Sequence, residues 1–250
     1  MWGIIPAAGR GARIQPLACS KELLPIGSQL DGEVERPRAV SEYLIERMLS
    51  AGADRLCMVV SPDKPDLIGY YGRHACAGAL CYVVQPQPVG LCDALFRALP
   101  FIGPHEQVLV GLPDTIWFPR EGYRLLPDGV LSFLLFSVER PQLFDAVCTD
   151  ASGIVTEIQV KHPAPESAWI WGAFKLTGAI LRRLHALWLA RDRVDVYFGT
   201  LVNAYIADGG VARGIPDGGE YIDVGTIHGY RRAVGLLARR HEEEPVSGRS

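Results

Sequence analysis

The sequence predicts a three-layer α/β/α domain on a mixed, mostly parallel central sheet. Three observations predict it. Short apolar runs alternate with helical patterns through the first half, the signature of βαβ units with right-handed crossovers. Of the 250 residues 48% are apolar, enough to bury a sizeable core. The residue types suited to chemistry stand directly after the apolar runs, where sheets of this kind bind ligands.

Trp2–Pro6 reads as a buried strand that runs into a glycine-rich loop. The polar stretch Ser28–Arg36 reads as a surface loop. Ala39–Ala51 carries Leu44, Ile45, Met48 and Leu49 at helical spacing, and Gly52 closes it as a C-cap. Arg55–Val60, Ala79–Val84 and Gln107–Leu112 read as strands; Pro65–Gly72 and Gly90–Leu99 read as the helices between them. The second half is more mixed. Gly129–Val138 reads as a strand, and Asp145–Thr149 with Gly153–Val160 as an antiparallel pair around Ser152-Gly153. Trp169–Leu176 is apolar and aromatic, and Thr177 suits the N-cap of a helix over Gly178–Ala190. A helix over Val194–Ala207, a strand over Glu220–Val224 and a helix over Thr226–Arg240 follow, before a frayed tail at 241–250. Residues 1–240 therefore read as one domain, with halves at 1–115 and 116–240 and no linker between them.

Composition excludes several classes. The 25 Lys and Arg nearly cancel the 28 Asp and Glu, for a net charge of −3. A broad electrostatic grip on nucleic acid or an acidic membrane needs a basic excess that is missing here. No apolar run approaches the length of a membrane span, and Met1–Pro6 has no basic n-region, so the cytoplasm is the expected compartment. The six cysteines, Cys19, Cys57, Cys76, Cys81, Cys92 and Cys148, form no CxxC pair and read as small buried hydrophobes.

The strongest local signal is Pro6-Ala7-Ala8-Gly9-Arg10-Gly11-Ala12-Arg13, followed by Ser20-Lys21-Glu22-Leu23-Leu24-Pro25. Small residues from Ala7 to Gly11 let successive backbone amides approach an anion, which makes a nest for phosphate. Arg13 adds a forked cation suited to phosphate oxygens, and Lys21 a compact point charge. The loop lacks the GK[ST] of a P-loop, and Ile14 stands where a dinucleotide fingerprint needs its third glycine.

These residues resemble the signature of the sugar-1-phosphate nucleotidylyltransferases, written GxGTR…PKxLLP. The resemblance continues in the family's order. Gln85-Pro86-Gln87-Pro88-Val89-Gly90-Leu91 is similar to the base-recognition segment of the thymidylyl branch. Leu112-Pro113-Asp114 and Asp223-Val224-Gly225-Thr226 resemble the two metal-carboxylate motifs, and Lys161-His162-Pro163 the segment that meets the sugar phosphate. The resemblance implies a Rossmann-like nucleotidyltransferase fold and a Mg²⁺-dependent transfer of a nucleotidyl group from dTTP or UTP to a sugar 1-phosphate. It further implies that Ala8, Gly9 and Gly11 cradle the triphosphate, Arg13 holds the departing pyrophosphate and Lys21 neutralises the α-phosphate. Asp114 and Asp223 would hold Mg²⁺, Gln85 and Gly90 would meet the base, and Lys161 and Gly172 the sugar phosphate. The implied partners are a nucleoside triphosphate and a sugar 1-phosphate, in the 1–115 and 116–240 halves respectively, with a homo-oligomer left open. Gln85 offers both a donor and an acceptor, which suits the imide edge of uracil or thymine.

Plainer roles stay open beside these. Asp114 can cap a turn, Asp223 can cap the helix at Thr226, Lys161 can be a solvated strand-end charge, Gln85 loop filler and Gly172 a packing residue. Trp169 and Trp171 read as core. Two departures from the family stand out. The interval from Pro16 to Lys21 is short and lacks the usual Thr, which predicts a reshaped lysine loop. Val160 occupies the place of the usual Glu before Lys161, which predicts the loss of one sugar-hydroxyl acceptor. A cytidylyl or guanylyl transferase and a non-catalytic nucleotide-sugar-binding homologue are the alternative functions.

Overall fold

The computed structural model describes residues 1–73 and 79–243. Cys76 and residues 244–250 of the expected tail lie outside the described residues.

The N-terminal strands pair in parallel. The strand β1 (Trp2–Pro6) lies between β4 (Arg55–Val60) and β6 (Gln107–Gly111), and β5 (Leu80–Val84) extends the sheet beyond β4. Each return crossing is helical: α1 (Val40–Ser50), α2 (Pro65–Tyr71) and α3 (Leu91–Arg97). The second half completes the sheet in the opposite sense. The strand β11 (Trp169–Thr177) runs antiparallel to β6 and carries β8 (Leu131–Ser137) and β9 (Asp145–Thr149), with β10 (Val155–Val160) outside β9. Among the described residues the result is one nine-stranded mixed sheet.

Burial explains the layers. On one face Phe133, Trp171 and Phe174 pack with Leu95 of α3, with Leu184 and Trp188 of α4 (Gly178–Ala190) and with Phe198 of α5 (Phe198–Ala207). On the other face Ile5, Met58 and Leu109 meet Leu44 and Met48 of α1 and Leu67 of α2. A third cluster gathers Ile14, Ile26, Tyr43, Ile116 and Ile222 around Ala233 and Leu237 of α6 (Ile227–Glu243). Trp171 is core, as expected, and Trp169 packs beside it. Among the described residues no helix is long and apolar enough to cross a membrane.

Five elements differ from those expected. The expected loop at Ser28–Arg36 is a hairpin of β2 (Pro25–Asp31) and β3 (Val34–Ala39). Its outer part is polar or exposed on both faces, with Leu30 and Val34 in solvent, so no period-two pattern marks it. The strand β12 (Ala212–Gly218) contains Gly214, Pro216 and Gly218 and owes its conformation to pairing with β8. The expected Glu220–Val224 strand is only Tyr221–Asp223 (β13) and leaves the main sheet to pair with β7 (Thr115–Trp117). The helix expected from Val194 begins at Phe198, because Asp192 and Arg193 take left-handed backbone angles that end α4, and 194–197 form a connecting loop. The last helix runs on to Glu243, three residues into the stretch expected to fray.

Candidate active site

The glycine-rich loop leaves the C-terminal end of β1. The Ala7 N–H still donates to the Val59 carbonyl at 2.8 Å, which continues the sheet ladder by one residue. Beyond it the amides of residues 8–13 make no hydrogen bond to another described residue, so they are available to an acceptor from outside. Gly11 has φ +65°, and a Cβ there would lie 2.8 Å from Cδ of Lys21. The position needs glycine for its backbone and for the lysine stem that crosses it.

Lys21 opens a single 3-10 turn, Lys21–Leu23. The turn is tethered by Asp66, whose carboxylate accepts from the Ser20 amide at 2.6 Å and the Ser20 hydroxyl at 2.8 Å. Despite the short interval after Pro16, Lys21 reaches across the sheet edge and donates from Nζ to Oδ2 of Asp114 at 2.5 Å. Burial alone would lower the Lys21 amine; the charges of Asp114 and Glu22 outweigh it and hold it above its ordinary value. Burial alone would raise Asp114; the charge and hydrogen bond of Lys21, with Arg13 behind them, hold that carboxyl below the usual range.

Asp114 and Asp223 are brought together by the small β7–β13 ribbon. The register pairs Asp223 with Thr115, and the Val224 amide donates to the Asp114 carbonyl at 2.9 Å. Asp223 accepts from Nη1 of Arg13 at 2.9 Å and, on its other oxygen, from the Gly225 amide at 2.8 Å. Gly225 completes the cradle. A Cβ on it would sit 2.8 Å from Asp114 Oδ2 and 2.9 Å from Asp223 Oδ1, so both carboxylate oxygens border the same small space. Arg13, Lys21, Asp114 and Asp223 thus form one cluster at the carboxyl edge of the sheet.

A cleft of about 1220 Å³ opens beside that cluster, lined by Arg13, Asp114, Asp223, Lys161, Tyr221 and His228 among others. Lys161 takes a left-handed φ of 48° just after β10. Its Nζ donates to the Leu143 carbonyl at 3.0 Å and lies 3.6 Å from Oδ1 of Asp145. Asp145 is buried, and the cost of desolvation pushes its carboxyl above the ordinary value in spite of Lys161.

Gln85, Gly90 and Gly172 sit apart from this cleft. Gln85 follows β5 and is almost wholly buried; its Nε2 donates to the Gly90 carbonyl at 3.1 Å and to Oδ2 of Asp93 at 2.8 Å. Gly90 has φ +119°, and a Cβ there would lie 2.6 Å from the Val196 carbonyl, so its missing side chain admits the 194–197 loop. Gly172 stands at the bulge between β11 and β8, where a Cβ would overlap Tyr221 and Phe136. It is buried behind Tyr221.

Sequence reading overlooked a buried ion pair beneath the loop. Lys64 donates to both carboxylate oxygens of Glu22 at 2.8 Å and to the Ala7 carbonyl at 2.7 Å. It ties the start of the glycine loop to the residue after Lys21. The one available signal was a lysine two residues after Ser61-Pro62, which by itself reads as surface.

A phosphate-type loop, a cation pair and two facing carboxylates at the carboxyl edge of this sheet define the class: a nucleotidyltransferase fold. The chain belongs to the nucleotidyl transferase family, whose model matches residues 2–239. It is 25% identical to a glucose-1-phosphate thymidylyltransferase of Neisseria meningitidis over 95% of this chain and 82% of that one. It is also 25% identical to a UTP–glucose-1-phosphate uridylyltransferase of Haloferax volcanii over 98% of this chain and 95% of that one. Among solved structures it is similar in fold to the UDP-glucose pyrophosphorylase of Acinetobacter baumannii, with a TM-score of 0.74, 19% identity and coverage of 96% and 93%.

Proposed function

We propose that this nucleotidyltransferase joins a nucleotidyl group from dTTP or UTP to a sugar 1-phosphate of the glucose 1-phosphate type, releasing pyrophosphate. The observation that carries the reading is the convergence of Lys21, Arg13, Asp114 and Asp223 beside loop amides that no other described residue engages. The names of the relatives from Neisseria and Haloferax point to the same substrates.

The chemistry asks little of the protein in proton transfer. A phosphate oxygen of the sugar phosphate forms a bond to the α-phosphorus, and the bond from that phosphorus to the β-bridging oxygen breaks in line. The nucleophile is already an anion at neutral pH, so no strong base is needed. The barrier lies in bringing anions together and in the charge that develops on the transferring group. The loop amides of residues 8–11 and the Arg13 guanidinium hold the triphosphate. Lys21, held charged by its carboxylate neighbours, is the cation that would face the α-phosphoryl group. Lys161 holds the sugar phosphate from the far wall of the cleft.

Asp114 and Asp223 fit a divalent cation. Their oxygens border a space that only a residue without a Cβ leaves open, and carboxylates with water and substrate phosphates are the donors that Mg²⁺ prefers. When bound, Mg²⁺ would supply charge neutralisation at the phosphate oxygens.

The test is pyrophosphate release with glucose 1-phosphate, each nucleoside triphosphate in turn, and Mg²⁺. Turnover with dTTP or UTP that EDTA abolishes and Mg²⁺ restores is the expected result. No turnover across a panel of sugar 1-phosphates overturns the reading.

A further inference from the structure

Gln85 was expected to meet a base with a donor and an acceptor. The structure leaves it only one of the two. Both hydrogens of its amide have protein acceptors, the Gly90 carbonyl at 3.1 Å and the Asp93 carboxylate at 2.8 Å. The remaining polar atom, Oε1, has no donor among the described residues. The orientation of the amide is set by charge. Turned over, Oε1 would face a carbonyl oxygen and a carboxylate oxygen, two acceptors that repel it. Asp93 is in turn held by Arg97, from Nε to Oδ2 and from Nη2 to Oδ1, each at 3.2 Å. Gly90 is held by the Val196 carbonyl packed against it, which also accepts from the Leu91 amide at 3.2 Å.

The place of Gln85 suits a nucleobase. The backbone N–H of Gln85 donates to the Val60 carbonyl at 2.8 Å, as that of Ala7 does to Val59, so both lie on the same carboxyl edge of the sheet. The order β1, β4, β5 puts Gln85 two strands from the glycine loop, about 10 Å along that edge. That is the span of a nucleoside between its phosphate and its base.

We infer that Asp93 is a specificity-determining positioning residue: it makes Gln85 an obligate acceptor, which selects a pyrimidine carrying a ring N–H and rejects one carrying a bare ring nitrogen. Uracil and thymine have the N3–H between two carbonyls. Cytosine presents N3 as an acceptor, which Oε1 repels. This deepens the proposed transfer from dTTP or UTP and rests on it. Asp93 acts through Gln85, and Arg97 keeps Asp93 in place.

The experiment titrates the chain with UTP, CTP and N3-methyl-UTP in the presence of Mg²⁺ and reads binding by thermal shift. The unmodified chain should bind UTP at least tenfold more tightly than either of the others. In Asp93→Asn the new amide can donate to Oε1 and let the Gln85 amide turn, so the UTP-to-CTP ratio should fall at least fivefold. Equal binding of UTP and N3-methyl-UTP, or a change in that ratio smaller than fivefold, overturns the inference. Should Asp93→Asn fail to fold, the N3-methyl-UTP arm on the unmodified chain decides alone. Binding of nucleotides without discrimination sinks only this inference; binding of no nucleotide sinks the proposed function with it.

Discussion

The amine of Lys21 donates to Asp114 across 2.5 Å, although the two residues come from a 3-10 turn after β1 and from the connection between β6 and β7. Each keeps the other charged in a largely dry setting, where unpaired charge is costly. Lys21→Ala should therefore lower kcat by about 10²-fold or more while changing nucleotide affinity by less than about tenfold. Steady-state kinetics with a parallel nucleotide titration separate the two effects.

Asp223 has a different balance. Its partner Arg13 is mostly exposed, so their ion pair adds at most about 1 kcal/mol of stability. Asp223→Asn should leave urea unfolding almost unchanged and reduce turnover by about 10²-fold or more. The loss should persist as Mg²⁺ is raised to saturation for the unmodified chain.

Gly11 supports Lys21 by having no side chain. Gly11→Ala forces a left-handed backbone on alanine, at about 1–2 kcal/mol, and pushes the lysine stem aside. The expected outcome is a small fall in the urea midpoint with a disproportionate fall in kcat. A fall in stability with unchanged kcat contradicts this.

The Lys64–Glu22 pair anchors the loop from below. Lys64→Met leaves Glu22 buried without a counter-charge and should cost about 3–5 kcal/mol, part of which Glu22→Gln in the same chain should restore. A double-mutant cycle by urea unfolding gives the coupling.

Asp145 makes a pH prediction. Burial raises its carboxyl in the folded state, so it contributes stability below the unfolded value of about 3.9 that is lost as pH rises through its raised value. Asp145→Asn stays neutral throughout. The melting temperature of Asp145→Asn minus that of the unmodified chain should therefore rise between pH 4 and pH 7; a flat difference contradicts the assignment.

The parallel half of the fold was legible because buried strands such as Arg55–Val60 are continuous apolar runs and α1 repeats its apolar residues at helical spacing. The outer β2–β3 hairpin and β12 were not, because pairing rather than burial pattern makes them strands. The glycine loop, Lys21, Asp114 and Asp223 were legible as residue types at ordered positions along the chain. Gln85 was legible as a residue with two hydrogen-bonding faces, but which face it keeps depends on Asp93 and the Gly90 carbonyl, neighbours supplied by the turn of α3.

The sequence alone determined the alternation of elements, the family motifs and the candidate residues, since these depend on local pattern and chemical type. Only the tertiary structure decided that the β7–β13 register sets Asp223 opposite Thr115 and so beside Asp114, that Lys64 reaches beneath the loop, and that the side-chain nitrogen of Gln85 is engaged by Asp93 and the Gly90 carbonyl. Those facts depend on distances between segments remote in the chain, and burial and pairing across the sheet determine such distances.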